Sequence, residues 1–197
     1  MSPRVGLTTE RVVGAAAELV DEIGFEKLTL SALAKRVGVK DPSLYVHVRG
    51  LHDLRVRVAL LASAELNERI GAAVLGRSGK DALVAFADAY RAYVLEYPER
   101  YAATQIRIDP AEVAGEPALL RSVELTMALL RGYGLGESEG LDAARLLRST
   151  FHGFATLESG GGFAHSRSTD DSWPHIVEAL HRTLSNWPSY QQNSPAS

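Results

Sequence analysis

The sequence predicts an all-α fold: an N-terminal three-helix domain built around a helix-turn-helix, followed by a longer helical domain. Three observations carry this. Apolar residues recur at three- and four-residue spacing along most of the chain. No run alternates apolar and polar residues as a half-buried strand does. Residues 28–48, LTLSALAKRVGVKDPSLYVHV, read as two short helices joined by a tight glycine turn.

The first helix opens at Thr8 or Thr9 and carries Val12, Val13, Ala16, Leu19, Val20 and Ile23 as one stripe, with Gly24 ending it. Thr29 is a natural N-cap for the second, in which Leu30, Leu33, Ala34 and Val37 share a face. Gly38 stands where that helix must turn, a position that favours φ > 0. Asp41-Pro42 restarts a helix, Asp as N-cap and Pro at the first position. Leu44 and Val48 lie one turn apart and point inward, which leaves Ser43, Tyr45, Val46, His47 and Arg49 facing outward.

Further helices are expected from residue 51 into the seventies, over 80–97 and near 100–107. Pro117 opens another that ends in the Gly132–Gly136 break, and Ser138 caps the next, which runs to about residue 159. The last spans 173–187, and PSYQQNSPAS at 188–197 reads as a flexible tail.

A chain of 197 residues can bury a real core. It has no cysteine, which excludes disulfide and thiolate chemistry and suits a reducing cytosol. No apolar signal core or membrane-spanning run is present, so a cytoplasmic protein with no membrane partner is expected. The net charge is −3, but residues 1–57 hold nine basic against seven acidic residues, whereas the remainder holds twelve against seventeen. A basic head on an acidic body suits a protein that meets nucleic acid at one end.

An enzyme is not expected. There is no HExxH, no Gly-rich phosphate loop and no nucleophile constellation. His175 and His181 lie six apart, poor spacing for a helical metal pair, so neither a metal nor another cofactor is expected. The rival reading is a helical protein-interaction module whose helix-turn-helix is structural; the outward polar row at 43–49 argues against it.

With its "GFEKLTL" approach and "PSLYVHVRG" followed by "LHDL", the first third of the chain resembles the DNA-binding domain of TetR-type transcriptional repressors, close to the tetracycline repressor's own subgroup. "FHGFATLESGGGF" at 151–163 resembles the regulatory domain of a TetR subgroup described by a Trp-His-Gly motif, with Phe151 in place of Trp. The resemblance implies a helix-turn-helix DNA-binding domain at 1–50 and a helical effector-binding and dimerisation domain at 51–187. The implied protein is a homodimeric repressor that binds a palindromic operator in double-stranded DNA and is released by a small-molecule effector.

The resemblance also implies roles for single residues. Thr29, Tyr45, His47 and Arg49 would meet phosphates. Base reading would fall to Lys40, Asp41, Pro42, Ser43 and Val46, with Pro42 and Val46 suited to thymine methyls. Arg4 would add a minor-groove or phosphate contact. Asp41 is two-sided, because it can accept from cytosine N4 or simply cap its helix. It stands where the tetracycline repressor has an amide, and Ser31 replaces a base-reading arginine, so the tetracycline operator is not the expected target.

An effector pocket would draw on Phe86, Tyr90, Tyr93, Tyr97, Tyr101, Gln105, Met127, Phe151 and His152, a set that suits an apolar or aromatic molecule. Leu147, Phe154, Trp173, Ile176, Val177, Leu180 and Leu184 would meet a second copy. The alternative for the same stripe is plain monomer core, and aromatics at such spacing are also ordinary core.

Overall fold

The computed structural model describes residues 7–188. Among them there is no strand; there are eight α-helices and three short 3₁₀ segments. They are α1 (Thr9–Ile23), α2 (Leu30–Val37), α3 (Leu51–Val74), α4 (Gly79–Glu96), α5 (Pro98–Ala103), α6 (Pro117–Arg131), α7 (Glu137–Ser159) and α8 (Thr169–Ser185). Arg4 and, past Pro188, the expected tail lie outside the described residues. No helix among these is long and apolar enough to cross a membrane.

The chain forms two compact units. Residues up to Arg69 together with Ala92–Ser122 make the first; Ile70–Arg91 together with residues from Val123 make the second.

In the first unit, α1 packs against α2 and α5. Val12, Ala16, Val20, Phe25, Leu28, Leu33, Leu44, Val48, Leu54 and Val58 fill one core. Local chemistry sets the helix ends. Thr8 Oγ1 accepts from the Arg11 N–H at 3.3 Å, and Thr29 Oγ1 from the Ala32 N–H at 3.1 Å. Gly38 takes φ 72°, ψ 32°, the left-handed geometry that lets Val39 N–H return to the Ala34 carbonyl at 3.0 Å.

Beyond that turn the sequence expectation needs correcting. The second arm is a 3₁₀ segment, Asp41–Val46, and Lys40 rather than Asp41 occupies its cap position, with no side-chain cap bond. Bonds spaced by three hold it, Ser43 N–H to Lys40 O at 2.9 Å and His47 N–H to Leu44 O at 2.8 Å.

In the second unit α7 and α8 lie together. The α7 helix begins at Glu137, not after Ser138; Gly136 is the cap residue, and its N–H donates to Glu139 Oε2 at 3.1 Å. The α8 helix begins four residues before Trp173, where Ser168 Oγ accepts from the Asp170 N–H at 3.1 Å. Asp170 and Asp171 in its first turn favour the amino end, and the helix runs through Pro174. The helix expected near 100–107 starts earlier, with Pro98 in its first turn.

Candidate nucleic-acid interface

The helix-turn-helix presents its outward residues on a fixed base. Leu44 and Val48 are wholly buried, whereas Lys40, Asp41, Pro42, Ser43, Tyr45, Val46 and Arg49 are exposed. Tyr45 retains 58 % of its surface and Val46 83 %. His47 is half-buried and its Nδ1 lies 3.5 Å from Thr9 Oγ1. Thr29 is exposed while it caps α2, so its cap role and an outward contact are compatible.

Cations on this unit fall into two classes. Arg36 is committed: Nη1 donates to Glu22 Oε2 at 2.7 Å and Nη2 to Glu18 Oε2 at 3.1 Å. Its pKa is raised, first by the Glu22 bond and then by the Glu18 bond. The side chains of Lys40 and Arg49, by contrast, form no direct salt bridge or hydrogen bond among the described residues, although the Arg49 charge acts on the nearby Asp53 carboxylate. An exposed cation with no direct hydrogen-bond partner, beside exposed hydroxyls and apolar tips, is what a phosphate-lined groove needs.

Sequence reasoning passed over Asp53. Its Oδ2 accepts from the Arg49 backbone N–H and from Arg57 Nε, both at 3.0 Å. Burial pushes its carboxyl up, but the Arg57 and Arg49 bonds outweigh this and hold it below the ordinary value. Asp53 thereby fixes the backbone from which the Arg49 side chain projects. The four-residue spacing of Asp53 and Arg57 was the available signal.

The nine residues expected around an effector divide between the units. In the second, Phe151 packs on Phe86 and Tyr90, with ring centroids 6.0 and 5.7 Å apart, and Met127 and His152 are half-buried. In the first, Tyr93 is fully buried and its hydroxyl donates to Glu65 at 2.9 Å, while Arg69 lies over the Tyr93 and Tyr97 rings. Burial pushes the Tyr93 phenol far up. Tyr101 is buried and Gln105 is exposed. A separate cleft of about 430 Å³ in the first unit is lined by Arg49, His52, Asp53, Val56, Arg57 and Glu112 among others.

Of the stripe expected to meet a second copy, Leu147, Trp173, Val177, Leu180 and Leu184 are buried within the single chain. They fill its own core, with Trp173 Nε1 donating to Asp88 Oδ1 at 2.7 Å. Phe154 and Ile176 are half-buried.

Comparison with known proteins agrees with this geometry. The family model for bacterial regulatory proteins of the tetR family matches residues 12–50, and that for the tetracyclin repressor-like C-terminal domain matches residues 83–180. An uncharacterized HTH-type transcriptional regulator of Bacillus subtilis, YobS, is 34 % identical over 159 residues, covering 80 % of this chain and 82 % of YobS. Among solved structures, a Rhodococcus sp. RHA1 protein of unknown function superposes with TM-score 0.76 at 22 % identity, covering 92 % of this chain and 97 % of that one. BioQ, solved with its natural double-stranded DNA operator, superposes with TM-score 0.68 at 18 % identity, covering 91 % of this chain and 99 % of that one. This chain belongs to the TetR family, and it is a transcriptional regulator with an N-terminal helix-turn-helix DNA-binding domain.

Proposed function

We propose that the protein is a homodimeric repressor that reads a palindromic operator through the major groove and is released by a small-molecule effector. One observation carries the reading: an exposed row from Lys40 to Arg49, with Lys40 and Arg49 making no direct side-chain bond among the described residues, mounted on the wholly buried Leu44 and Val48. In this proposal Thr29, Tyr45, His47 and Arg49 hold phosphates. Lys40, Asp41, Pro42, Ser43 and Val46 face base edges, and residues 1–50 form the reading head.

One such head makes few contacts. Two on one symmetric site roughly double the free energy, which is the physical argument for a dimer. The α7–α8 pair offers the surface for a second copy. Gly153 has open space where a Cβ would stand, Leu157 is half exposed, and Phe154 and Ile176 are incompletely covered. The aromatic set of Phe86, Tyr90 and Phe151 with Met127 suits an apolar effector. Such a ligand represses DNA binding only by its differential affinity for the two states of the dimer.

Fluorescence anisotropy on duplexes from the protein's own upstream region, at two salt concentrations, tests the reading. Palindrome-dependent binding with two protomers per duplex, lost in a Tyr45→Phe, Arg49→Ala variant, is the expected result. Weak binding to every duplex that vanishes at the higher salt would overturn it.

A further inference from the structure

Asp41 is the one acidic residue in the exposed row, and the sequence allows it two roles. It caps its helix or it reads a base. The structure removes the first, since Lys40 holds the cap position and no side chain caps the segment. The Asp41 carboxylate is exposed and accepts no hydrogen bond among the described residues. Asp53, twelve residues on, is the contrast, because both the Arg49 N–H and Arg57 engage its carboxylate.

An ionised carboxylate only accepts hydrogen bonds, and next to phosphates it is repelled unless it meets a donor. Guanine shows N7 and O6 to the major groove, both acceptors, and thymine shows the O4 acceptor and a methyl. Adenine places its N6 donor beside the N7 acceptor, so the second carboxylate oxygen would face a lone pair. Cytosine offers its N4 amino group and carries no major-groove acceptor of its own.

We propose that Asp41 is a specificity-determining residue whose carboxylate accepts a hydrogen bond from the N4 amino group of a cytosine at one position in each operator half-site. The assignment rests on the DNA-binding reading above and adds the base that this side chain selects. The selection works largely by exclusion. At guanine or thymine the carboxylate gives up its water and meets an acceptor or a methyl, and at adenine its second oxygen faces N7, so the wrong pair is penalised more than the right one is rewarded.

Selection from a duplex library with randomised half-sites, using the full-length wild type, Asp41→Asn and Asp41→Ala, tests this. The wild type is expected to enrich cytosine at one symmetric position, with about tenfold weaker binding when that pair is replaced. Asp41→Asn shifts the same position toward adenine, whose N6 and N7 an amide can pair, and Asp41→Ala loses preference there alone. All three proteins should melt alike, since the native side chain holds no intramolecular bond. Identical preferences in the three proteins overturn the inference, as does Asp41→Ala strengthening every duplex equally, which would mark plain repulsion. If the wild type enriches no sequence, the DNA-binding reading falls and this inference with it; enrichment that is indifferent to residue 41 sinks only the latter.

Discussion

Glu99 Oε2 accepts a hydrogen bond from the Phe25 N–H at 2.9 Å, joining α5 to the loop that enters the helix-turn-helix, 74 residues away in sequence. The contact closes a tight corner. Gly24 precedes it at φ 92°, and a Cβ there would stand 3.4 Å from the same carboxylate oxygen. Glu99→Ala leaves the Phe25 N–H without its acceptor and should cost about 1 kcal/mol. Urea unfolding should show a lower midpoint at an unchanged slope.

Arg100, the next residue, gathers carboxylates from two other helices. Its Nη1 donates to Glu65 Oε1 at 2.8 Å and Oε2 at 3.0 Å, its Nη2 pairs with Asp21, and the guanidinium lies 4.6 Å from the Tyr97 ring centroid. Burial pushes the Asp21 carboxyl above its ordinary value, and Arg100 offsets only part of that. Arg100→Ala removes the offset, and a loss of about 2 kcal/mol is expected, between the values for exposed and fully buried pairs. The sign of the pH dependence follows. A carboxyl whose folded pKa is raised favours the fold below its unfolded pKa, and that contribution is lost as pH rises through the folded value. The variant should therefore be more destabilised at pH 7 than at pH 4, as denaturation at the two pH values will show.

Leu44 and Val46 are two residues apart and have opposite duties. Leu44 is wholly buried in the core of the first unit, and Val46 is 83 % exposed. Leu44→Ala should destabilise by about 3 kcal/mol through the cavity it leaves. Val46→Ser should change stability by no more than about 0.5 kcal/mol. Its effect should appear instead in operator affinity, through a lost apolar contact. Thermal melts and anisotropy on the same pair of variants separate the two.

What could be read from the sequence here was local. The Thr29 cap and the Gly38 turn depend on neighbours within four residues, and both stand as expected. Asp41-Pro42 carries the same cap signature, yet the cap residue is Lys40, because the short 3₁₀ segment starts one residue early relative to that pattern. The last helix, expected from residue 173, begins at Thr169, and the signal for that start was Ser168 with two aspartates behind it. The stripe from Trp173 to Leu184 shows a deeper limit, since an apolar face has the same periodicity whether its own chain or a second copy covers it. The Glu99 and Arg100 contacts had no sequence signature, being formed across dozens of residues.

A surface pair in the second unit gives a prediction for acid. Glu178 Oε2 lies 2.7 Å from Lys80 Nζ, and Oε1 accepts from Arg182 Nε at 2.8 Å. These bonds, Lys80 first, hold the Glu178 carboxyl at about 2, below its ordinary 4.5. In the unfolded chain the ordinary value returns, so the unfolded state takes up a proton sooner as acid is added. Stability from this group is present above pH 4.5 and is lost as pH falls toward 2. Arg182 sits one helical turn after Glu178 and does not depend on tertiary structure, whereas Lys80 reaches it from α4. Glu178→Gln should therefore flatten the fall in melting temperature between pH 5 and pH 3, and Lys80→Met should do most of the same. Equal slopes in the wild type and both variants would mean that water screens the carboxylate and the tertiary pair contributes nothing.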